Sequence, residues 1–212
     1  MTDAEWQVSW RGRLKYADAL AEQTARRELV IRGEAPNTVW MLEHEPVVTL
    51  GRRGGEVDRA LLAARGTDVV ETRRGGLATW HGPGQLVAYF MVDLPKMGWS
   101  VRQFVHGMES GMIRLLSTLG VEASRREGAP GVFVQDGKIG SVGLHVKRGV
   151  TMHGLSLNLC LGEGAFEGMV PCGLVGVTPV DVRRCGGLVK QPEDLAFPLS
   201  EHLLDAIQEA HA

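Results

Sequence analysis

The sequence predicts an α/β fold in one domain over residues 1–212. Three observations carry that reading. Stretches with helical spacing of apolar residues interleave with short β-branched or apolar runs along the chain. No internal repeat, low-complexity segment or linker-like shift of composition divides it. The 44% hydrophobic and 23% charged content is that of an ordinary globular protein long enough to bury a substantial core. The 28 glycines, roughly twice the ordinary share, imply many tight connections and close backbone contacts.

Residues 14–32 carry Leu14, Ala17, Leu20, Ala21, Ala25, Leu29 and Val30 among charges, an amphipathic helix that breaks at 33–37. Residues 38–50, TVWMLEHEPVVTL, read as a strand interrupted or edge-placed at Pro46. Glu43, His44 and Glu45 look like an ion-binding cluster. Successive strand residues point to opposite faces, however, so a supporting role at the strand end is expected. Residues 52–66 form a polar connection with a short helix over 58–64, and 69–72 a short strand. That strand leads into RRGGLATWHGPG, where Gly75, Gly76, Gly82 and Gly84 surround Thr79 and His81. Such a loop brings its main chain close to a ligand, although a tight connection would also explain Gly82-Pro83-Gly84. Residues 85–94 are a continuous apolar run, hence a buried strand.

A turn over 95–98 leads to Ser100, which caps a helix with Phe104, Met108, Met112, Leu115, Leu116 and Leu119 on one face. Gly107 and Gly111 are expected to let that helix lie close against a sheet, and its methionines read as core filling. Asp136-Gly137 between the apolar runs 131–134 and 138–146 signals a hairpin. Residues 151–161 form a strand with Leu155, Leu157, Leu159 and Leu161 on one face and Ser156, Asn158 and Cys160 on the other. A loop over 162–170 leads to Pro171-Cys172-Gly173, and the tail from Pro192 holds a final helix over 200–210.

A formal charge of −2 argues against bulk electrostatic binding of nucleic acid. The basic residues nonetheless come in pairs, among them Arg26-Arg27, Arg52-Arg53, Arg73-Arg74 and Lys147-Arg148; several on one face would dock an acidic partner. No apolar segment reaches the length of a membrane span, and the N-terminus lacks a signal-peptide core. Three cysteines do not make a disulfide framework, so a cytoplasmic protein with reduced thiols is expected.

Several chemistries fail on spacing. The P-loop and dinucleotide patterns do not fit the glycines, the serine-hydrolase elbow is missed at Ser141, and no cysteine or histidine pair has zinc spacing. A thiol remains. Cys160 reads as structural. Cys185 sits in RRCGG, a basic loop that would lower a thiol pKa. Cys172 stands between a proline and a glycine, a stiff turn with room for a substrate, and would need a cation or base to activate it. Lys138, entering an apolar strand after a turn, is a candidate for that cation. From the residues alone the pairing stays open.

The sequence closely resembles the lipoyl(octanoyl) transferases of lipoate biosynthesis. The resemblance lies in LEHEPV (42–47), RGGLATWHGPGQ (74–85), APGV (129–132), KIGSVG (138–143), HGLSLN (153–158) and PCG (171–173). It implies a mixed sheet packed by helices, like the catalytic domain of biotin and lipoate protein ligases. It also implies a ping-pong transfer without metal or ATP. Cys172 would take octanoyl from octanoyl-acyl carrier protein as a thioester. Lys138 would lower its pKa and act as acid/base when a lipoyl-domain lysine attacks. Substrate would be bound by Arg74, Gly75, Gly76, Leu77, Ala78, Thr79, Trp80 and His81, by Ser141, Val142 and Gly143, and by Gly154, Leu155 and Ser156. The implied acceptors are the lipoyl domains of 2-oxo acid dehydrogenase E2 subunits and the glycine cleavage H protein, and a monomer is the implied state.

Two departures from the family pattern stand out: His145 replaces a usual arginine, and Pro179 a usual small hydroxylic residue. The alternative on the same fold is an ATP-dependent lipoate or biotin protein ligase, which needs no cysteine. A non-catalytic lipoyl-domain binding module is the rival from another class.

Overall fold

The computed structural model describes residues 6–169 and 177–211. In chain order its elements are β1 (Trp6–Leu14), α1 (Tyr16–Ile31), β2 (Asn37–His44), β3 (Val47–Leu50), α2 (Arg59–Ala64), β4 (Asp68–Glu71), β5 (Thr79–His81), β6 (Gln85–Met91), α3 (Leu94–Met97), α4 (Val101–Thr118), β7 (Ser124–Arg126), β8 (Ala129–Val134), β9 (Gly137–Lys147), β10 (Val150–Asn158) and α5 (Pro192–Glu209). A seven-stranded sheet runs β1-β2-β6-β10-β9-β8-β7, and a three-stranded sheet runs β4-β3-β5. Parallel pairs (β1 with β2, β3 with β4) sit among antiparallel ones, so both sheets are mixed, as expected.

β6 shows why the apolar run 85–94 has no alternation. It lies between β2 and β10 and is buried along its whole length. Leu86, Ala88 and Phe90 enter a core with Phe104, Met108, Met112, Leu115 and Leu116 of α4 and Leu199, Leu203 and Ile207 of α5. Val87, Tyr89 and Met91 enter a second core with Ala19 and Val30 of α1. A strand covered on both faces needs apolar residues at every position.

Other elements differ from expectation for identifiable reasons. The stretch 38–50 does break at Pro46, but its halves join different sheets as β2 and β3. β1 was not anticipated, although Trp6, Val8 and Trp10 alternate and all pack on the core. The turn at 95–98 is a short helix, α3, started by the Asp93 side chain. Ser100 caps α4 in a capping box with Gln103. Gly107 and Gly111 admit a helix rather than a sheet: a Cβ at Gly107 would lie 2.5 Å from Ile207 Cα, and one at Gly111 2.7 Å from Leu203 Cα. α5 starts at Pro192, well before residue 200, with Pro198 inside it; a proline at the first helical position fits without strain. Cys160 lies just beyond β10, in a bend.

Candidate active site

A cavity of about 400 Å³ opens where the glycine loop between β4 and β5 crosses β9 and β10. The loop can approach because β9 carries Gly143 there: Gly75 N–H donates to Leu144 O at 2.8 Å, and a Cβ at Gly143 would lie 3.1 Å from Gly75 O. Of the expected binding residues, 74–79, His81, 141–143 and 154–156 line the cavity, together with Lys138. Trp80 does not. In β5 it points opposite to Thr79 and His81, and it packs against Phe166 at the edge of a second cavity of about 210 Å³. Val101 and Val105 of α4, Tyr89 of β6 and His153 of β10 also line the main cavity. Tyr89 and His153 read in sequence as core-strand positions.

A bulge aims Lys138 at this space. The register between β8 and β9 shifts at Val132/Phe133, so β9 holds one extra residue between Lys138 and Gly140. Ile139 is buried in the core, and a Cβ at Gly140 would meet Met112 Sδ of α4 at 2.8 Å. Two consecutive residues therefore face the core, and Lys138 falls on the cavity face with Ser141 and Gly143. Lys138 is only 9% exposed. Its Nζ donates to Pro130 O at 2.8 Å and lies 5.4 Å from the centre of the Phe133 ring. Gly131 gives the stem its room: a Cβ there would be 2.7 Å from Lys138 Cε.

Cys172 lies outside the described residues. The chain that returns from it is placed: Lys138 N–H donates to Thr178 O at 2.9 Å, and Val180 N–H donates to Lys138 O at 3.1 Å. Pro179 sits between these two bonds and loses no hydrogen bond by lacking an N–H, so this departure from the family pattern leaves the pairing with Lys138 intact. The surroundings of Cys185 are not those of an activated thiol. Burial, and then the Asp181 carboxylate, push its pKa up, contrary to the effect expected of a basic loop.

A directed chain of hydrogen bonds joins the glycine loop to Lys138. Arg74 donates from Nη2 to Thr49 Oγ1 at 2.8 Å, and the Thr49 hydroxyl faces His81 Nε2 at 3.4 Å. His81 Nδ1–H donates to Gln85 Oε1 at 2.7 Å. Gln85 Nε2 donates to Asn158 Oδ1 at 2.9 Å, and Asn158 Nδ2 to Val180 O at 2.9 Å. Val180 then donates to Lys138 as above. The tautomer follows from the ends: Gln85 spends its amide hydrogens on Trp80 O and Asn158, so its oxygen must accept from His81. Glu43 supports the same region by accepting from Gly84 N–H at 2.7 Å, whereas His44 receives Tyr89 O–H at Nε2 and donates from Nδ1 to Leu14 O. Glu43 and His44 thus serve separate partners, as the strand geometry implied. Among the described residues no histidine, cysteine and carboxylate group could hold a metal ion.

Burial holds three histidines neutral, His81 and His153 in the cavity wall and His44 behind His81. It lowers His44 to about 4 and His153 to about 3, and His81 well below the usual 6.5, with Arg74 adding to the depression of His153 and the neighbouring His44 to that of His81. Their folded pKa values lie below the unfolded ones, so the unfolded chain binds more protons as pH falls. Stability is therefore full above about pH 6.5 and is lost progressively towards pH 4, by up to about 1.4 kcal/mol per pH unit for each histidine. Urea unfolding at pH 7.5 and pH 5 is expected to show a clearly lower midpoint at pH 5. An unchanged midpoint would contradict neutral burial.

The model of the lipoyl protein ligase A/B catalytic domain matches residues 15–181. The chain is 44% identical over 178 residues to an octanoyltransferase of Halorhodospira halophila, covering 84% of this chain and 80% of that protein. It is 39% identical over 204 residues to an octanoyltransferase of Aromatoleum aromaticum, covering 96% and 80%. In structure it is similar to a bi-partite lipoate protein ligase from Thermoplasma acidophilum, with TM-score 0.63, 15% identity and coverage of 96% and 84%. The biotin protein ligase of Aquifex aeolicus follows with TM-score 0.58, 10% identity and coverage of 96% and 71%. The two structures establish the fold and the two sequences the kinship: the chain belongs to the lipoyl protein ligase A/B catalytic-domain family, among its octanoyltransferases.

Proposed function

We propose that this enzyme moves an octanoyl group from octanoyl-acyl carrier protein to the ε-amino group of a lysine on a lipoyl domain, through a thioester on Cys172. The observation that carries the reading is the bulge-aimed, nearly buried Lys138, at the cavity wall and paired through its backbone to the segment that returns from Cys172. In the first step the Cys172 thiolate attacks the donor thioester carbon, and the carrier's thiol leaves with a proton. In the second, the lysine amine attacks the new thioester, loses a proton, and Cys172 departs as the thiol.

Lys138 supports both steps. As a cation it favours the thiolate, and as a hydrogen-bond donor it can hand over and take back the proton. The octanoyl chain is received by Leu77, Val101, Val105, Val142 and Leu155; each methylene so buried gives about 0.8 kcal/mol. A thioester already stores the energy that an amide needs, so the route requires neither ATP nor metal.

The acceptors expected are lipoyl-domain proteins, in particular E2 subunits of 2-oxo acid dehydrogenases and the glycine cleavage H protein. No helix among the described residues is long and apolar enough to cross a membrane.

The test is transfer itself. Purified protein, apo-lipoyl domain and octanoyl-acyl carrier protein, with chelator and no ATP, are expected to yield one octanoyl group on the lipoyl lysine. Labelling that instead demands free octanoate and ATP would favour the ligase reading.

A further inference from the structure

The cation of the candidate site has a counter-charge that reaches it through a single peptide unit. Lys138 Nζ donates to Pro130 O at 2.8 Å, and the N–H of that same peptide, on Gly131, donates to Glu109 Oε1 at 2.8 Å. No peptide bond among the described residues is cis, so this unit points its N–H and its carbonyl in opposite directions. One side faces α4 and the other faces Lys138. Gly131 holds the unit there with φ of 126°, a conformation that glycine adopts freely. The carboxylate is placed by α4. Val101, Val105 and Glu109 follow at every fourth position, so the helix face that lines the cavity ends at Glu109. Glu109 is 7% exposed. Its other oxygen, Oε2, lies 3.2 Å from Arg125 Nε, and Arg125 is itself held by His106 O and Ser110 Oγ of α4.

Such a carboxylate costs more to bury than an apolar side chain of similar volume, so packing alone does not account for it. A charged acceptor strengthens the bond from Gly131 N–H, and the polarised peptide then accepts more strongly at its carbonyl. The ammonium gains from a negative charge without touching one. Among the described residues Lys138 makes no direct ion pair, and a direct partner would compete with the Cys172 thiolate for it. Of the three donors on Nζ one goes to Pro130 O, which leaves two for the thiolate and the reacting proton. We propose that Glu109 is a positioning residue for acyl transfer, holding the Lys138 ammonium at the cavity wall through the Pro130–Gly131 peptide, with Arg125 fixing the carboxylate.

The inference rests on the acyl-transfer reading, in which Lys138 supports Cys172, and one experiment separates the two. Loading of Cys172 from octanoyl-acyl carrier protein is followed over time by intact mass in wild type, Glu109→Gln, Lys138→Met and the double variant. Glutamine keeps an oxygen for Gly131 N–H and removes the charge, while the Arg125 side chain, 33% exposed, has room to turn to solvent. Glu109→Gln is expected to slow loading roughly 10-fold when Lys138 is present, and by less than about 2-fold in the Lys138→Met background, because the two act as one unit. Loss of a nearby negative charge also eases deprotonation of the ammonium. The alkaline limb of the loading rate should therefore move to lower pH, which general loosening of the fold would not produce. Loading within about 2-fold of wild type, an unmoved alkaline limb, or an equal loss in the Lys138→Met background would each overturn the proposal. If Glu109→Gln does not fold, Arg125→Gln takes its place. Freeing the carboxylate is expected to slow loading roughly 3-fold, again only with Lys138 present, and the absence of that loss overturns the proposal equally. A wild type that does not load would refute the transfer reading, and a Lys138→Met variant as fast as wild type would refute the part of Lys138 in it; either result takes the inference down with it.

Discussion

Lys138→Met is expected to slow acyl transfer by roughly 100-fold or more, the range a positioned acid–base group supplies. Methionine keeps the length of the stem that lies against Phe133 and Gly131, so packing is largely retained. The ammonium is what disappears, and with it the cation proposed to favour the Cys172 thiolate. Pro130 O, which accepts from Nζ at 2.8 Å, loses its partner at a stability cost of about 1–3 kcal/mol. The two effects can be told apart. Alkylation of Cys172 followed against pH should shift its midpoint upward in the variant, an outcome that mere loosening of the fold would not produce. Transfer within a few-fold of wild type, with an unmoved alkylation profile, would remove Lys138 from the chemistry.

The second large effect is structural. Gly84 has φ of 82°, and a Cβ on it would overlap the Cys160 carbonyl oxygen. Its N–H donates to Glu43, and its carbonyl accepts from both Leu159 N–H and Cys160 N–H at 3.0 Å. It thereby fastens the ends of β2 and β10 to the turn that joins His81 of β5 to Gln85 of β6. Gly84→Ala must strain φ, at about 1–2 kcal/mol, and also push the Cys160 backbone away. A loss of about 3 kcal/mol or more is expected, which lowers Tm by roughly 6–12 °C in a chain of this size. Gly120→Ala is the control. Gly120 has φ of 76° but open space around it, so only the strain is felt. Equal losses for the two variants in thermal unfolding would show that the Cys160 contact is unimportant.

What the sequence revealed were features held in short windows. The unbroken apolar run of β6, the Ser100 cap of α4 and the Asp136-Gly137 turn each carry their cause within a few residues. The glycine loop was legible for a similar reason, because Gly75 and Gly76 mark backbone that must come close to something. What they approach was not legible, since Gly143 stands on another strand. The bulge at Ile139 is equally hidden: only the register against β8 shows that Lys138 changes face. Gly107 and Gly111 announced a close approach, but α5 rather than a sheet provides it. The chain from Arg74 through Thr49, His81, Gln85 and Asn158 to Val180 draws on four separate stretches of sequence. Asn158 and Gln85 each look like an ordinary strand residue until their amides meet.

The central claim is a covalent octanoyl-enzyme on Cys172. Intact mass of the protein after mixing with octanoyl-acyl carrier protein, without ATP, measures it directly, with Cys172→Ser alongside. The account predicts a gain of one octanoyl group in the wild type, removed by hydroxylamine and absent from the variant. An unmodified wild type that still acylates a lipoyl domain, or an adduct that survives in Cys172→Ser, would contradict it.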